Sequence, residues 1–142
     1  MAQTFRRVWY RPTPMQEMML GEAFERKSGS LHVGPDGLRF ESKDAPLTIS
    51  EIETVEYGVH GTTTNPSVHV RYLDNGEARD AYFEDARYFG YAGFFGGTQR
   101  LAEAIEHPGR TVIETEGPKQ MRRLMVGLAV AVVVMILLRL LV

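Results

Sequence analysis

Set apart from its apolar tail, the 142-residue chain leaves room for one modest domain of roughly 100 residues and no second core. It has no cysteine, which excludes disulfides, thiolate metal sites and a thiol nucleophile. All eighteen acidic residues precede Lys119, with twelve of the sixteen basic ones, so that part is formally −6 and the remainder +4. A −6 domain lacks the clustered cations that nucleic acid demands, and nucleic acid is excluded as a partner.

In chain order, residues 1–19 read as an N-terminal arm, basic and aromatic (Phe5, Arg6, Arg7, Trp9, Tyr10, Arg11) and broken by Pro12 and Pro14. No apolar h-region accompanies the arginines, so no signal peptide is visible. Met15, Met18 and Met19 follow the i, i+3, i+4 spacing of a short helix that reaches residue 24.

From Gly29 the period changes to two. Leu31 and Val33 alternate, Gly34-Pro35-Asp36-Gly37 supplies a tight turn, and Leu38 and Phe40 alternate after it, which is a hairpin signature. Leu47 and Ile49 follow, then Ile52, Val55, Tyr57 and Val59. A loop over 61–66 leads to Val68, Val70 and Tyr72, and Asp74-Asn75-Gly76 turns into a strand over 77–83. Six or so short antiparallel strands are thus predicted. A helix over 98–106 comes next, with Thr98 as N-cap, Leu101, Ala104 and Ile105 on one face, and His107-Pro108-Gly109 as its stop. Residues 108–123 form a linker with a short strand over 111–114, a hinge at Gly117-Pro118 and a basic collar of Lys119, Arg122 and Arg123.

Residues 124–142 read LMVGLAVAVVVMILLRLLV, with Arg139 the only charge. As a helix they extend roughly 28 Å, the thickness of a bilayer's hydrocarbon core. Arg139 stands near the end, where it can snorkel to the interface. The collar places the large N-terminal part in the cytoplasm by the positive-inside rule, giving a single-pass, tail-anchored topology in a cell membrane. Gly127 and Ala131 make a small-xxx-small pair suited to close helix packing.

The runs GSLHVGPDGLRF, LTISEIETVEYG, VHVRYLDNGEARDAYFED and GGTQRLAEAI resemble a bacterial pleckstrin-homology-like (GRAM-like) domain over residues 20–107. The resemblance implies a mainly β fold, a bent antiparallel barrel of seven strands with a capping helix, here carried by one C-terminal transmembrane α-helix in a bacterial inner membrane. The basic motif of lipid-binding members is not completed: Lys27 is present, but Arg39 is followed by Phe40 and Glu41, and the hairpin loop holds no base. Phosphoinositide recognition is therefore not carried over, and the usual tryptophan of the capping helix is also missing.

Candidate chemistry is sparse. His32, His60, His69 and His107 form no metal-ligand motif, although His60 and His69 can face each other across neighbouring strands as a two-ligand half-site; ordinary surface histidines are the simpler account. Ser67 has no nucleophile elbow. Glu51, Glu53 and Glu56 read as a solvated strand face. The unusual stretch is 88–97, where five aromatics, Tyr88, Phe89, Tyr91, Phe94 and Phe95, are interleaved with four glycines. Gly96-Gly97 opens a helix but has no GK[ST] ending, so a phosphate cradle is disfavoured. The loop either packs into its own barrel end or contacts a partner protein or the membrane interface.

These residues predict a non-enzymatic, membrane-anchored binding module without cofactor, an adaptor or accessory subunit whose partner is another protein or a second copy. A second expectation is lipid sensing by a composite basic face of Arg6, Arg7, Arg11, Lys27, Lys119, Arg122 and Arg123. An uncharacterised enzyme is third.

Overall fold

The computed structural model describes residues 2–13, 26–44, 46–60, 65–90, 93, 95–106, 112–114 and 116–141. The Met15 helix and His107 lie outside them. The strands are β1 (Gln3–Arg11), β2 (Lys27–Gly34), β3 (Gly37–Glu41), β4 (Leu47–Ile49), β5 (Glu51–Val59), β6 (Pro66–Asp74), β7 (Glu77–Asp85) and β8 (Val112–Glu114). A 3-10 turn spans Arg87–Gly90, and the helices are α1 (Gly97–Ile105) and α2 (Glu116–Leu141). All eight strands belong to one sheet of order β4-β3-β2-β1-β7-β6-β5-β8, antiparallel except for β8, which runs parallel to β5.

The six strands read from alternation are present. The hairpin turns are as their residues dictate. Gly34 pairs with Gly37, and Gly37 sits at φ 144°, where an added Cβ would collide with the Ile49 carbonyl oxygen. Asn75 (φ 52°) and Gly76 (φ 82°) supply the two left-handed residues of a type I′ hairpin turn.

Residues 3–11, expected as an arm, are instead the strand on which the sheet is assembled. β1 pairs with β2 on one side and β7 on the other. A bulge between Phe5 and Val8 inserts one extra residue, with Arg7 held at φ 59°. The bulge moves the core-facing positions to 5, 8 and 10 and conceals the period of two.

The sheet is open, not the closed barrel of the expectation. It is nevertheless strongly curled. β4 and β5 stand six strand spacings apart in the sheet, about 29 Å if it were flat. Yet only Ser50 separates them in the chain, and two peptide steps reach about 7 Å. The sheet must bend back on itself, and β4 packs beside β6.

The concave face holds the core: Val8, Leu31, Phe40, Val55, Val70 and Phe83 among others, closed by Leu101, Ala102 and Ile105 of α1. Tyr10 joins Phe40 and Phe83, with ring centroids 5.4 and 5.6 Å away. α1 lies on β5, β6 and β7.

Thr98 is not the N-cap of α1; Gly96 is, in the left-handed conformation. The Thr98 hydroxyl is buried and accepts a hydrogen bond from the Asp85 backbone N–H at 3.1 Å. Nor do Gly117 and Pro118 form a hinge. They lie inside the first turn of α2, where proline's missing N–H has no intrahelical acceptor to lose. The collar positions Lys119, Arg122 and Arg123 are therefore helical too. α2 is one continuous helix of 26 residues, and its segment Arg123–Leu141 is long and apolar enough to cross a membrane, with none of it buried in the protein.

Candidate functional site

Two places on the domain bring chemistry together. The first is a cleft of about 330 Å³ lined by Thr4, Phe5, Arg6 and Val8 of β1, Asp85 at the end of β7, Arg87, and Gly97, Arg100 and Leu101 of α1. Its shape follows from the β1 bulge, whose Arg7 carbonyl accepts the Ala86 N–H at 2.8 Å. Asp85 is buried and fixes the following turn. Its Oδ1 accepts from the Arg87 backbone N–H at 2.9 Å, and its Oδ2 accepts from Arg87 Nη2 at 2.7 Å. Gly93 is required beside Thr98, because a Cβ there would stand 2.7 Å from the threonine hydroxyl.

Of the aromatic stretch, Tyr88 follows the cleft residue Arg87 and Phe95 precedes the cleft residue Gly97 by two positions. Tyr88 is 77 % exposed and Phe95 75 % exposed, so most of the surface of both rings faces solvent. Tyr88 also holds φ 52°, an unfavourable conformation for a bulky side chain. Phe89 contributes backbone to the 3-10 turn, while Tyr91 and Phe94 lie outside the described residues. Gly127 and Ala131 are on α2, with open space around Gly127. One member of the expected composite basic face lies inside the domain. Arg6 and Arg7 are exposed, but Arg11 is buried, with Nε and Nη1 lacking hydrogen-bond partners. Arg11 has Glu84 for a countercharge; burial pushes the Glu84 carboxyl above the ordinary range, opposed by Arg11 and Arg26. Arg26 itself stacks 3.6 Å above the Trp9 ring.

The second place is the outer face of β5, β6 and β7. Register aligns Glu56, His69 and Tyr82 in one row across the three strands. His69 lies flat on Tyr82, with centroids 4.5 Å apart and planes within 4°. His69 Nε2–H donates to Asp80 Oδ1 at 2.8 Å, which leaves Nδ1 facing Glu56 Oε2 at 3.9 Å. His60, just past the end of β5, meets His69 edge-on with centroids 5.4 Å apart. Its Nδ1 lies 2.8 Å from the Ser67 hydroxyl, and its buried Nε2 has no hydrogen-bond partner, standing 4.0 Å from Glu56 Oε2. Burial holds the His60 imidazole below its ordinary pKa, partly offset by Glu56.

The facing of His60 and His69 was legible from strand spacing. Glu56 was not, since one side chain among several acids on a strand gives no sign of its cross-strand neighbours. Glu51 and Glu53 are exposed, as a solvated face requires, whereas Glu56 is half-buried by the histidines.

No family model matches the chain, and no curated protein matches it.

Proposed function

We propose that this chain is a non-enzymatic binding module anchored by α2, an adaptor or accessory subunit that docks a protein partner at the cytoplasmic membrane face. The observation that carries the reading is the cleft. Arg6 and Arg100 line it together with the Arg87–Asp85 ion pair, beside two exposed aromatics on a domain that is otherwise acidic. Exposed aromatic and arginine side chains are the residue types that dominate protein interfaces. An acidic segment of a membrane-resident protein has the complementary charge. Anchoring confines both proteins to one surface and raises their effective concentration.

The PH-like assignment belongs to this proposal. Seven antiparallel strands curled round one core and followed by one packed helix support it. The cytoplasmic orientation rests on the collar and the positive-inside rule. Lipid sensing by the composite basic face is the weaker reading because Arg11 is inside the domain.

The test uses the full-length protein captured from native membranes in mild detergent. A stoichiometric protein should co-purify and be lost in Arg6→Glu/Arg100→Glu and in Tyr88→Ala. Retention in both variants refutes the cleft as the docking surface. Salt-sensitive flotation of the domain with anionic vesicles, lost in the same charge reversal, would establish lipid sensing instead.

A further inference from the structure

We propose that Glu56, His60 and His69 form a binding site for a borderline divalent transition-metal ion of the Zn²⁺ type. The inference is independent of the docking proposal. One ligand atom of each residue lies within 4.8 Å of the other two. Glu56 Oε2 stands 4.0 Å from His60 Nε2 and 3.9 Å from His69 Nδ1. Those separations are too long for hydrogen bonds. A triangle with two edges near 4 Å and a third of at most 4.8 Å has its centre roughly 2.3–2.5 Å from each corner, a few tenths of an ångström outside Zn–N and Zn–O bond lengths, so small side-chain rotations close the site.

The directions of the lone pairs agree with this. His69 turns Nε2 to Asp80 and Nδ1 to the Glu56 carboxylate, so in the neutral ring that donates to Asp80 the Nδ1 electron pair faces Glu56. His60 engages Ser67 through Nδ1 and leaves Nε2 buried and unpartnered. When His60 carries its proton on Nδ1 and donates it to Ser67, three acceptors converge with no donor among them, and a cation is the group that resolves this. A carboxylate behind one imidazole and a hydroxyl behind the other are the outer-shell supports that orient ligating histidines. Two imidazoles and one carboxylate select a transition ion over Mg²⁺ or Ca²⁺, which take oxygen ligands. Three protein ligands leave a fourth position for water or for a partner's side chain.

Placement suggests a structural clip. Glu56 is on β5, His69 on β6, and the other neighbour of Glu56 in the register is Ile113 of β8, three residues before α2 begins. An ion here ties β5 to β6 beside the root of the anchor.

The experiment takes the tag-free, chelator-treated full-length protein in detergent and titrates it with Zn²⁺ and Co²⁺. The expected results are one saturable site, visible Co²⁺ bands of a four-coordinate N/O environment, and a rise in Tm of about 5 °C or more near saturation. Mg²⁺ and Ca²⁺ should not compete. His69→Gln and Glu56→Gln should abolish the Co²⁺ bands, Asp80→Asn should weaken binding about 10–100-fold, and His32→Gln should change nothing. Absence of saturable Zn²⁺ and Co²⁺ binding in the unmutated protein overturns the proposal, whatever the variants' folding. Retention of the bands in His69→Gln/Glu56→Gln, or their loss in His32→Gln, overturns the assignment to these residues.

Discussion

The β domain and helix α2 treat apolar side chains in opposite ways. In the domain they turn inward: Phe40, Phe83, Leu31 and Ile105 are at most 1 % exposed. Along α2 they turn outward on every side, with Leu128, Val133, Met135 and Leu138 all more than half exposed. Both regions are built from Leu, Val and Ile, so composition does not separate them. Periodicity does. A period of two gives each strand one apolar face, which a curled sheet and one short helix can cover. A helix apolar all round needs a surrounding of its own kind, and a lipid bilayer is one.

The sharpest break of this contrast is truncation after residue 115. Without α2 the protein should move wholly from the membrane fraction to the soluble fraction, with the domain still folding cooperatively. Fractionation and circular dichroism read both, and a domain that stays membrane-bound would assign the anchoring elsewhere. Next, the two apolar populations should answer mutation differently. Phe83→Ala opens a cavity beside Phe40 and Tyr10 and should cost about 3–5 kcal/mol in denaturant unfolding of the domain. Val133→Ala on α2 should stay within about 0.5 kcal/mol on the same transition. Equal losses would mean that α2 belongs to the domain's core.

A third prediction sharpens the account of charge inside the domain. Burial raises the Glu84 pKa above its ordinary 4.5, with Arg11 and Arg26 opposing. The folded state then holds this proton more tightly than the unfolded chain. Its contribution to stability is fully present below pH 4.5 and is lost as pH rises through the folded value. The stability of the unmutated protein relative to Glu84→Gln should therefore decline on going from pH 4.5 towards neutrality, as measured by urea midpoints. A rise over that interval would show that the arginines outweigh desolvation. The smallest effect is expected at Tyr88, where backbone strain is held by an exposed side chain. Tyr88→Asn, which tolerates the left-handed conformation, should leave stability equal or up to about 1 kcal/mol higher. Partner capture should fall in the same variant. A stability loss above 1 kcal/mol would mean that Tyr88 packs against the domain.

The sequence by itself determined the six strands from Lys27 to Asp85, the helix after them and the apolar C-terminal span, because each rests on local periodicity and turn chemistry. It concealed β1, since the bulge at Arg6-Arg7 breaks the alternation on which a strand is recognised. Thr98 looked like a cap because hydroxyls favour that position, but the domain spends its hydroxyl on the Asp85 backbone thirteen residues away. Exposure of Tyr88 and Phe95 and burial of Arg11 likewise depend on what the folded chain lays over each residue. The row Glu56–His69–Tyr82 needed the register of three strands, and only the tertiary structure sets register, through the core each strand must face.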